Sequence, residues 1–426
     1  MVNHGKPTKL WLASPCFYPS YGGAQIRYRN YIKGFHERGL DVHVLTGTPQ
    51  LSERSEADTD VDWYENTPGT WLPQTILDGA PLERIRLPDD KGKARNKIYY
   101  DALLEACRRD LQGPVVAQLL TNLRPGARPW LRQLRQSNIA TSYSMSTYPK
   151  WPGKLNKRLI RTPAYRRLFS ELDALITNSE PIRMFLQKLD ISTRIEYIPN
   201  GVNLERFHPV DSRADQDDRC ALRGSLGIPA GHRLIVSVGA IMPRKGSVHV
   251  IRAWSNILEE FPDTHLLFVG PRADVFNTKL KGYNEKISRL IDSSRAPGQV
   301  HFTGVVDDVE RYLRAADIFV LASDREGTPN SVLEAMASGL PCIVTPFAGI
   351  SSAIGVPDTH FRQVAREPEA ISRALRAYLK DPQLAMTQGK TGRRFVIENA
   401  DRNKTLDQYA ELYRELGEAA LSRRDK

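Results

Sequence analysis

Five apolar runs in the second half of the chain constrain its fold more than any other feature: LIVSVGA (234–240), HLLFVG (265–270), VHFTG (300–304), IFVLAS (318–323) and PCIVTP (341–346). Each is short and nearly unbroken, the pattern of strands in a parallel sheet covered on both faces. Between them lie stretches of helical period such as SVHVIRAWSNILEEFP (247–262) and DDVERYLRAA (307–316). Alternating strands and helices make an α/β sheet whose ligands sit at the strands' carboxyl ends. The first half opens the same way. KLWLAS (9–14) leads through the loop PCFYPSYGG (15–23) into AQIRYRNYIKGFHERG (24–39) and then DVHVLTG (41–47). Ala24, Tyr28, Tyr31, Ile32 and Phe35 share one stripe of that helix. PVVAQLL (114–120), NIATSYSM (138–145) and LDALITNSE (172–180) are further strand-like segments. Residues 48–97 are polar and Pro-rich and read as long loops with weak elements.

A chain of 426 residues is too long for one ordinary core and divides naturally into two domains of roughly 200 residues. The polar interval DSRADQDDRCALRGSLGIPAGH (211–232) marks the neighbourhood of the boundary. The expected division is 1–205 for the first domain and 206–395 for the second. A helical closing segment, 396–426, is expected to cross back to the first. The architecture expected is two doubly wound domains facing a cleft. Cys16, Cys107, Cys220 and Cys342 are isolated, which suits buried free thiols in a reducing compartment and neither disulfides nor a zinc site. No apolar run reaches the roughly 20 residues of a membrane span. The apolar patch before Pro15 is too short for a signal-peptide core, so a soluble, cytoplasmic protein is expected. The net charge of +11 suits an acidic partner (phosphates, anionic lipid or nucleic acid) or simply a solvated basic surface. Nucleic-acid binding would require basic residues interleaved with aromatics and a recognisable module, and neither is present.

The stretch DREGTPNSVLEAMASG (324–339) follows the run 318–323, so it occupies the carboxyl end of a strand. Pro329 is expected at the first helical position with Thr328 as its cap, and Gly339 stops the helix. The N–H groups of Asn330 and Ser331 then offer a phosphate site. Glu326 lies just outside that helix end and Glu334 inside it. Ser331-x-x-Glu334 also fits a capping box, and Glu326 also fits an ordinary loop carboxylate. Arg244 and Lys245 follow another strand, where fixed cations can hold a diphosphate and stabilise charge on a leaving group; the alternative is a solvated surface pair. Gly22 and Gly23 permit backbone N–H groups to approach a ligand, or make a tight turn. Asn178 and Asn200 are cleft candidates or turn residues. Arg272 and Val305 end strands on the same side. No acidic cluster suggests a metal.

These residues carry a resemblance. Glu326-x7-Glu334 within EGTPNSVLEAMASGLPCIVT (326–345), together with PNGVNLERFHP (199–209), VGAIMPRKG (238–246) and AADIFVLAS (315–323), resembles retaining glycosyltransferases of the GT-B fold, specifically glycosyltransferase family 4. YGGAQIRYRNYIKGFHERGLDVHVLTG (21–47) is similar to that family's acceptor-domain start. The resemblance implies a hexosyltransferase whose substrate is a nucleotide-diphosphate sugar, with no cofactor and no metal. It implies that Glu326 binds donor-sugar hydroxyls and Glu334 the ribose hydroxyls. The intervening Gly327, Thr328, Asn330 and Ser331 take the distal phosphate. Arg244, Lys245 and Glu326 serve catalysis, Val305 the base pocket, and Gly22 and Gly23 the reacting phosphate. The family's usual histidine has no counterpart in ATSYSMSTYP (140–149), where Ser144, Ser146 or backbone groups take its place. Front-face attack, with the donor phosphate helping to take the acceptor proton, is the implied mechanism.

Acceptors implied are a sugar, a glycolipid or a small molecule, in bacterial-type glycolipid, surface-polysaccharide or glycoside synthesis. A sugar-nucleotide epimerase or a phosphorylase on the same fold is an alternative, but neither a cleft acid–base set nor a pyridoxal-phosphate lysine is recognisable. A non-catalytic homologue is another. KWPGKLNKRLIRTPAYRRLFS (150–170) carries Lys150, Lys154, Lys157, Arg158, Arg161, Arg166 and Arg167 with no acid among them. It suits a helix lying on an anionic membrane surface, or a solvated helix face.

Overall fold

The computed structural model describes residues 5–17, 23–48, 65–89, 92–109, 111–120, 123–146, 163–272, 280–326, 328–347 and 354–423. The chain forms two units, Met1–Pro199 with Asn403–Lys426, and Asn200–Arg402. The first unit holds strands β1 (Lys9–Ser14), β2 (Asp41–Gly47), β3 (Trp71–Leu77), β4 (Ala80–Ile85), β5 (Val115–Leu119), β6 (Ala140–Met145), β7 (Ala174–Thr177) and β8 (Arg194–Tyr197). Their order across the sheet is β3-β4-β2-β1-β5-β6-β7-β8, parallel throughout except where β3 meets β4. Leu10 and Leu12 of β1 face one core and Trp11 and Ala13 the other, so one apolar run serves both layers.

The second unit holds β9 (Arg233–Val238), β10 (Thr264–Val269), β11 (Val300–Phe302), β12 (Ile318–Leu321), β13 (Cys342–Val344) and β14 (Arg362–Gln363), all parallel, in the order β11-β10-β9-β12-β13-β14. This is the doubly wound order 3-2-1-4-5-6 of dinucleotide-binding sheets. Leu234 and Val236 pack on one side with Phe319 and Leu321; Ile235 packs on the other with Ile318 and Val320. Alternation within each run explains why the sequence shows no polar face: both faces are covered.

From Asn403 onward the helix Arg402–Leu421 belongs to the first unit. Tyr409 and Tyr413 pack on Tyr28, Tyr31 and Phe35, and the Tyr413 hydroxyl donates to Gln118 Oε1 of β5 at 2.9 Å. Gly34 makes this docking possible: a Cβ there would meet Leu406 Cδ1 at 2.3 Å. The expected boundaries at 205/206 and 395/396 move to 199/200 and 402/403. Val202 N–H donates to Ala400 O (2.8 Å) and Arg402 N–H to Val202 O (3.0 Å), which ties both segments to the second unit.

Of residues 48–97, expected as long loops with weak elements, the described part from 65 on holds well-formed strands, and 49–64 and 90–91 lie outside the described residues. β3 and β4 form a hairpin whose turn residues Asp78 (φ 50°) and Gly79 (φ 90°) are both left-handed, the geometry that matches strand twist in tight hairpins. β3 escapes notice because it is an edge strand. Pro73 to Ile76 are exposed, and the register slips between Leu72 and Thr75, around the proline. Cys107 and Cys342 are buried thiols as expected, but Cys220 is exposed. Among the described residues no helix is long and apolar enough to cross a membrane.

Candidate functional site

β9 and β12 are neighbours, with Ile235 opposite Ile318 and Val236 opposite Phe319, and the sheet order reverses between them. The loops leaving their carboxyl ends frame the crevice where doubly wound sheets bind ligands. The β9 loop makes one 3-10 turn, Pro243–Lys245, and then the left-handed Gly246 (φ 73°) before the helix Ser247–Ser255. A Cβ on Gly246 would lie 2.1 Å from Ala322 O, so only glycine lets the two loops approach this closely. Across the gap, Arg244 O accepts from Asp324 N–H (3.0 Å), with the Ser323 Oγ 3.2 Å away.

Three donors converge on one oxygen, Glu326 Oε1: Lys245 Nζ at 2.7 Å, Arg244 Nη1 at 2.9 Å and the Ser323 hydroxyl at 2.7 Å. Burial of this carboxylate opposes ionisation. Lys245 and Arg244 outweigh it, and the group titrates below the ordinary glutamate range. Arg244 and Lys245 are therefore not a solvated pair, and Glu326 is not a free loop carboxylate.

The helix Asn330–Ala337 starts one residue later than expected. Pro329 (ψ 107°) is its N-cap and Asn330 its first residue, so Thr328 lies outside the cap position, and no side chain caps this end. Val332 and Leu333 N–H return to Pro329 O. The N–H groups of Asn330 and Ser331 meet no acceptor among the described residues, as the first donors of a helix do. Asn200 Nδ2 donates to Thr328 O (3.2 Å) and to Asn330 Oδ1 (2.5 Å), bracing this entry from another loop. Ser331 is the second helical residue, so a capping box with Glu334 does not form. The Glu334 carboxylate has no hydrogen-bond or ion-pair partner among the described residues. Burial pushes it up to about 7, against the pull of Arg206, whose guanidinium is engaged with Glu310 at 2.7 Å.

The loop after β10 adjoins the β9 loop through the bridge Ile241–Arg272 and the β11 loop through the bridge Gly270–Gly304. Val305 is 48% exposed beyond them, and the Arg272 guanidinium lies over the Phe302 ring at 4.7 Å. The remaining candidates belong to the first unit. Gly23 opens the helix Gly23–Arg29, and Asn178 is buried just past β7. Ser144 Oγ lies 2.5 Å from the Tyr28 hydroxyl, and Ser146 accepts from Arg27 Nη2 at 3.2 Å. Gly22, Gly327 and Lys150 to Thr162 lie outside the described residues. Ser323 and Arg206 were missed by the sequence reading: neither type nor spacing sets them apart, because each acts by reaching a partner distant in the chain. One group of possible metal ligands, His208, Asp211 and Asp215, stands among the described residues. Asp215 is already engaged as the capping box of the helix Arg213–Ser225, with Ser212.

Comparison with known proteins follows this division. The profile described as Glycosyltransferase Family 4 matches residues 21–206, and that described as Glycosyl transferases group 1 matches residues 218–395. The UDP-Gal:alpha-D-GlcNAc-diphosphoundecaprenol alpha-1,3-galactosyltransferase of Escherichia coli is 27% identical over 52% of this chain and 54% of that protein. The lipopolysaccharide core biosynthesis mannosyltransferase LpcC of Rhizobium leguminosarum bv. viciae is 26% identical over 66% of this chain and 78% of that protein. The chain spans about half the length of the first relatives it matches. Among solved structures, sucrose-phosphate synthase from Thermosynechococcus elongatus superposes with a TM-score of 0.71 at 22% identity, over 97% of this chain and 100% of that one. Anabaena HepE in complex with UDP-glucose gives 0.70 at 16% identity, over 96% and 99%.

Proposed function

We propose that this chain, which belongs to glycosyltransferase family 4 with its group 1 donor domain and the two Rossmann-like folds of the GT-B class, transfers a sugar from a nucleoside-diphosphate sugar to an acceptor hydroxyl with retention of configuration. One observation carries this reading: a charge-clamped carboxylate, an uncapped helix start and a second, unpartnered carboxylate stand in sequence at one switch point. A sugar nucleotide has the complementary order, with hydroxyls at both ends and anionic phosphates between them. Glu326 accepts from sugar hydroxyls, and the Asn330 and Ser331 N–H groups take the distal phosphate. Glu334 accepts from the ribose. Arg244 and Lys245 stabilise the negative charge that grows on the departing diphosphate. The diphosphate oxygen takes the proton of the acceptor hydroxyl as that hydroxyl attacks from the same face, with no metal required.

A panel of uridine, guanosine and adenosine diphosphate sugars tests this by thermal shift. At a hundred times its dissociation constant, the true donor stabilises the protein by about 2.7 kcal/mol. If none of the panel shifts the transition and none is hydrolysed or transferred, the reading fails.

We infer further that the acceptor is a glycolipid or lipid-linked sugar reached at an anionic membrane surface. The net charge of +11 and the lipid-linked substrate named for the E. coli relative support this. Each basic contact contributes about 1 kcal/mol near such a surface. The expected result is binding to vesicles containing anionic lipid and little to neutral ones, fading with salt as the Debye length shrinks from about 10 Å at 0.1 M to about 3 Å at 1 M. Neutralising Lys154, Lys157, Arg158 and Arg161 together releases the protein and spares nucleotide binding. A quadruple variant that floats with vesicles as the parent does would refute the membrane role of this segment.

A further inference from the structure

We propose that Arg366 is a positioning residue that sets the phosphate-side cations against Glu326, and so governs how strongly the site prefers a nucleoside diphosphate over the monophosphate. The inference rests on the donor-site reading above. Arg366 lies between β14 and the helix Pro368–Lys380, on a segment with no other part in the site. Its guanidinium spans both loops of the switch point. Nε donates to Ala322 O at 2.7 Å, on the β12 side. Nη2 donates to Pro243 O at 2.8 Å and Arg244 O at 3.3 Å, on the β9 side. Nη1 pairs with Asp324 at 3.5 Å.

The acceptors explain why an arginine is required. Pro243 and Arg244 lie in a single 3-10 turn between glycines with positive φ (Gly239 at 132° and Gly246 at 73°), a segment with little intrinsic stiffness. Ala322 O emerges where β12 has ended. Carbonyls of this kind need partners when water is excluded. A planar fork with five donors in fixed directions satisfies acceptors from two loops at once, whereas an ammonium is a point charge on a flexible stem. Arg244 O thereby takes two donors, Asp324 N–H and Arg366 Nη2, beside the Ser323 hydroxyl that donates to Glu326. That knot fixes the backbone from which Arg244 and Lys245 reach Glu326 Oε1. With all three of its nitrogens engaged by protein, Arg366 acts through the turn and not on the phosphate itself. Small displacements of a charge clamp weaken it steeply, so a loosened turn is felt where the second phosphate binds and not at the ribose end.

The test uses Arg366→Lys and Arg366→Gln in the full chain, titrated calorimetrically with UDP, UMP, GDP and GMP. In both variants diphosphate affinity falls tenfold or more, monophosphate affinity stays within twofold, and lysine does not rescue. A merely structural role would lower the melting temperature without moving the diphosphate-to-monophosphate ratio. Should Arg366→Gln fail to fold, Asp324→Asn releases the outer end of the same guanidinium, keeps its backbone N–H on Arg244 O, and lowers the ratio in the same direction. A wild-type ratio in Arg366→Lys, or an equal loss for both classes of nucleotide, overturns the proposal while the donor site stands. If the parent protein binds none of the four, the donor-site reading falls and this inference with it.

Discussion

Replacing Arg244 or Lys245 by alanine lowers turnover by about a hundredfold or more, the scale seen when one preorganised donor to a developing anion is removed. The loss appears in kcat more than in donor KM, because the charge these cations meet is larger in the transition state than in the bound substrate. Before the donor arrives, both cations rest on one carboxylate oxygen, Glu326 Oε1, and are held in place by the network around Arg244 O. A cation already desolvated and oriented loses little on meeting the diphosphate. Either single variant leaves the other cation on Glu326, so both fold, and their melting temperatures shift far less than their rates. Activity survives a chelator in the parent protein, since Arg244 and Lys245 supply the charge a divalent ion would otherwise bring. Steady-state kinetics of the two variants, with and without chelator, decide the matter. Undiminished rates in both, combined with a strict divalent requirement, would falsify the assigned roles.

How far the molecule was legible in advance depended on what each segment buries. β9, β10 and β12 stood out because both faces of the sheet are covered, so their side chains are apolar at nearly every position. β3 did not, because an edge strand with exposed Pro73, Gln74, Thr75 and Ile76 carries no apolar period, even though Asp78-Gly79 in its turn is a hairpin signal of its own. Within the site, the Glu326 and Glu334 spacing and the Arg244-Lys245 pair were visible as local patterns, and the structure brings Arg244, Lys245 and Glu326 into one cluster. Pro329 was misplaced by one position: its missing N–H suits the first helical residue, yet the extended ψ it adopts belongs to a cap. Arg366 was invisible for a different reason. Its hydrogen-bond acceptors are backbone carbonyls, which any residue type supplies, on segments 44 and 123 positions away, and only the outer ion pair with Asp324 is a side-chain contact. Side chains that work by satisfying distant backbone leave no composition or spacing behind.

Glu334 yields the other large effect, and it separates ribose binding from helix capping by opposite signs. Burial lifts its carboxyl to about 7 in the empty protein, well above the 4.5 of a free glutamate. A carboxyl raised on folding binds its proton more tightly in the folded state. Its contribution to stability is therefore fully present below about pH 4.5 and declines as pH rises through about 7. Glu334→Gln removes that penalty and raises the melting temperature at pH 8. In the ribose assignment the two hydroxyls donate to the Glu334 oxygens, an arrangement that favours the ionised form. Nucleotide binding thus releases a proton near neutrality, and affinity rises about tenfold between pH 6 and pH 8. In Glu334→Gln that component disappears, leaving only the titration of the nucleotide's own phosphate. Glu334→Ala loses hydrogen bonds to a charged acceptor worth about 1.5–3 kcal/mol each, roughly 10- to 150-fold in nucleoside diphosphate affinity for the first of them. Glu326→Ala, by contrast, spares free nucleotide and damages use of the sugar donor. If Glu334 only stabilised its helix, both Glu334 variants would melt earlier and bind nucleotide as tightly as the parent at every pH. Melting curves and titrations at pH 6 and pH 8 therefore give opposite answers under the two readings. The absence of a capping bond at Pro329 favours the ribose.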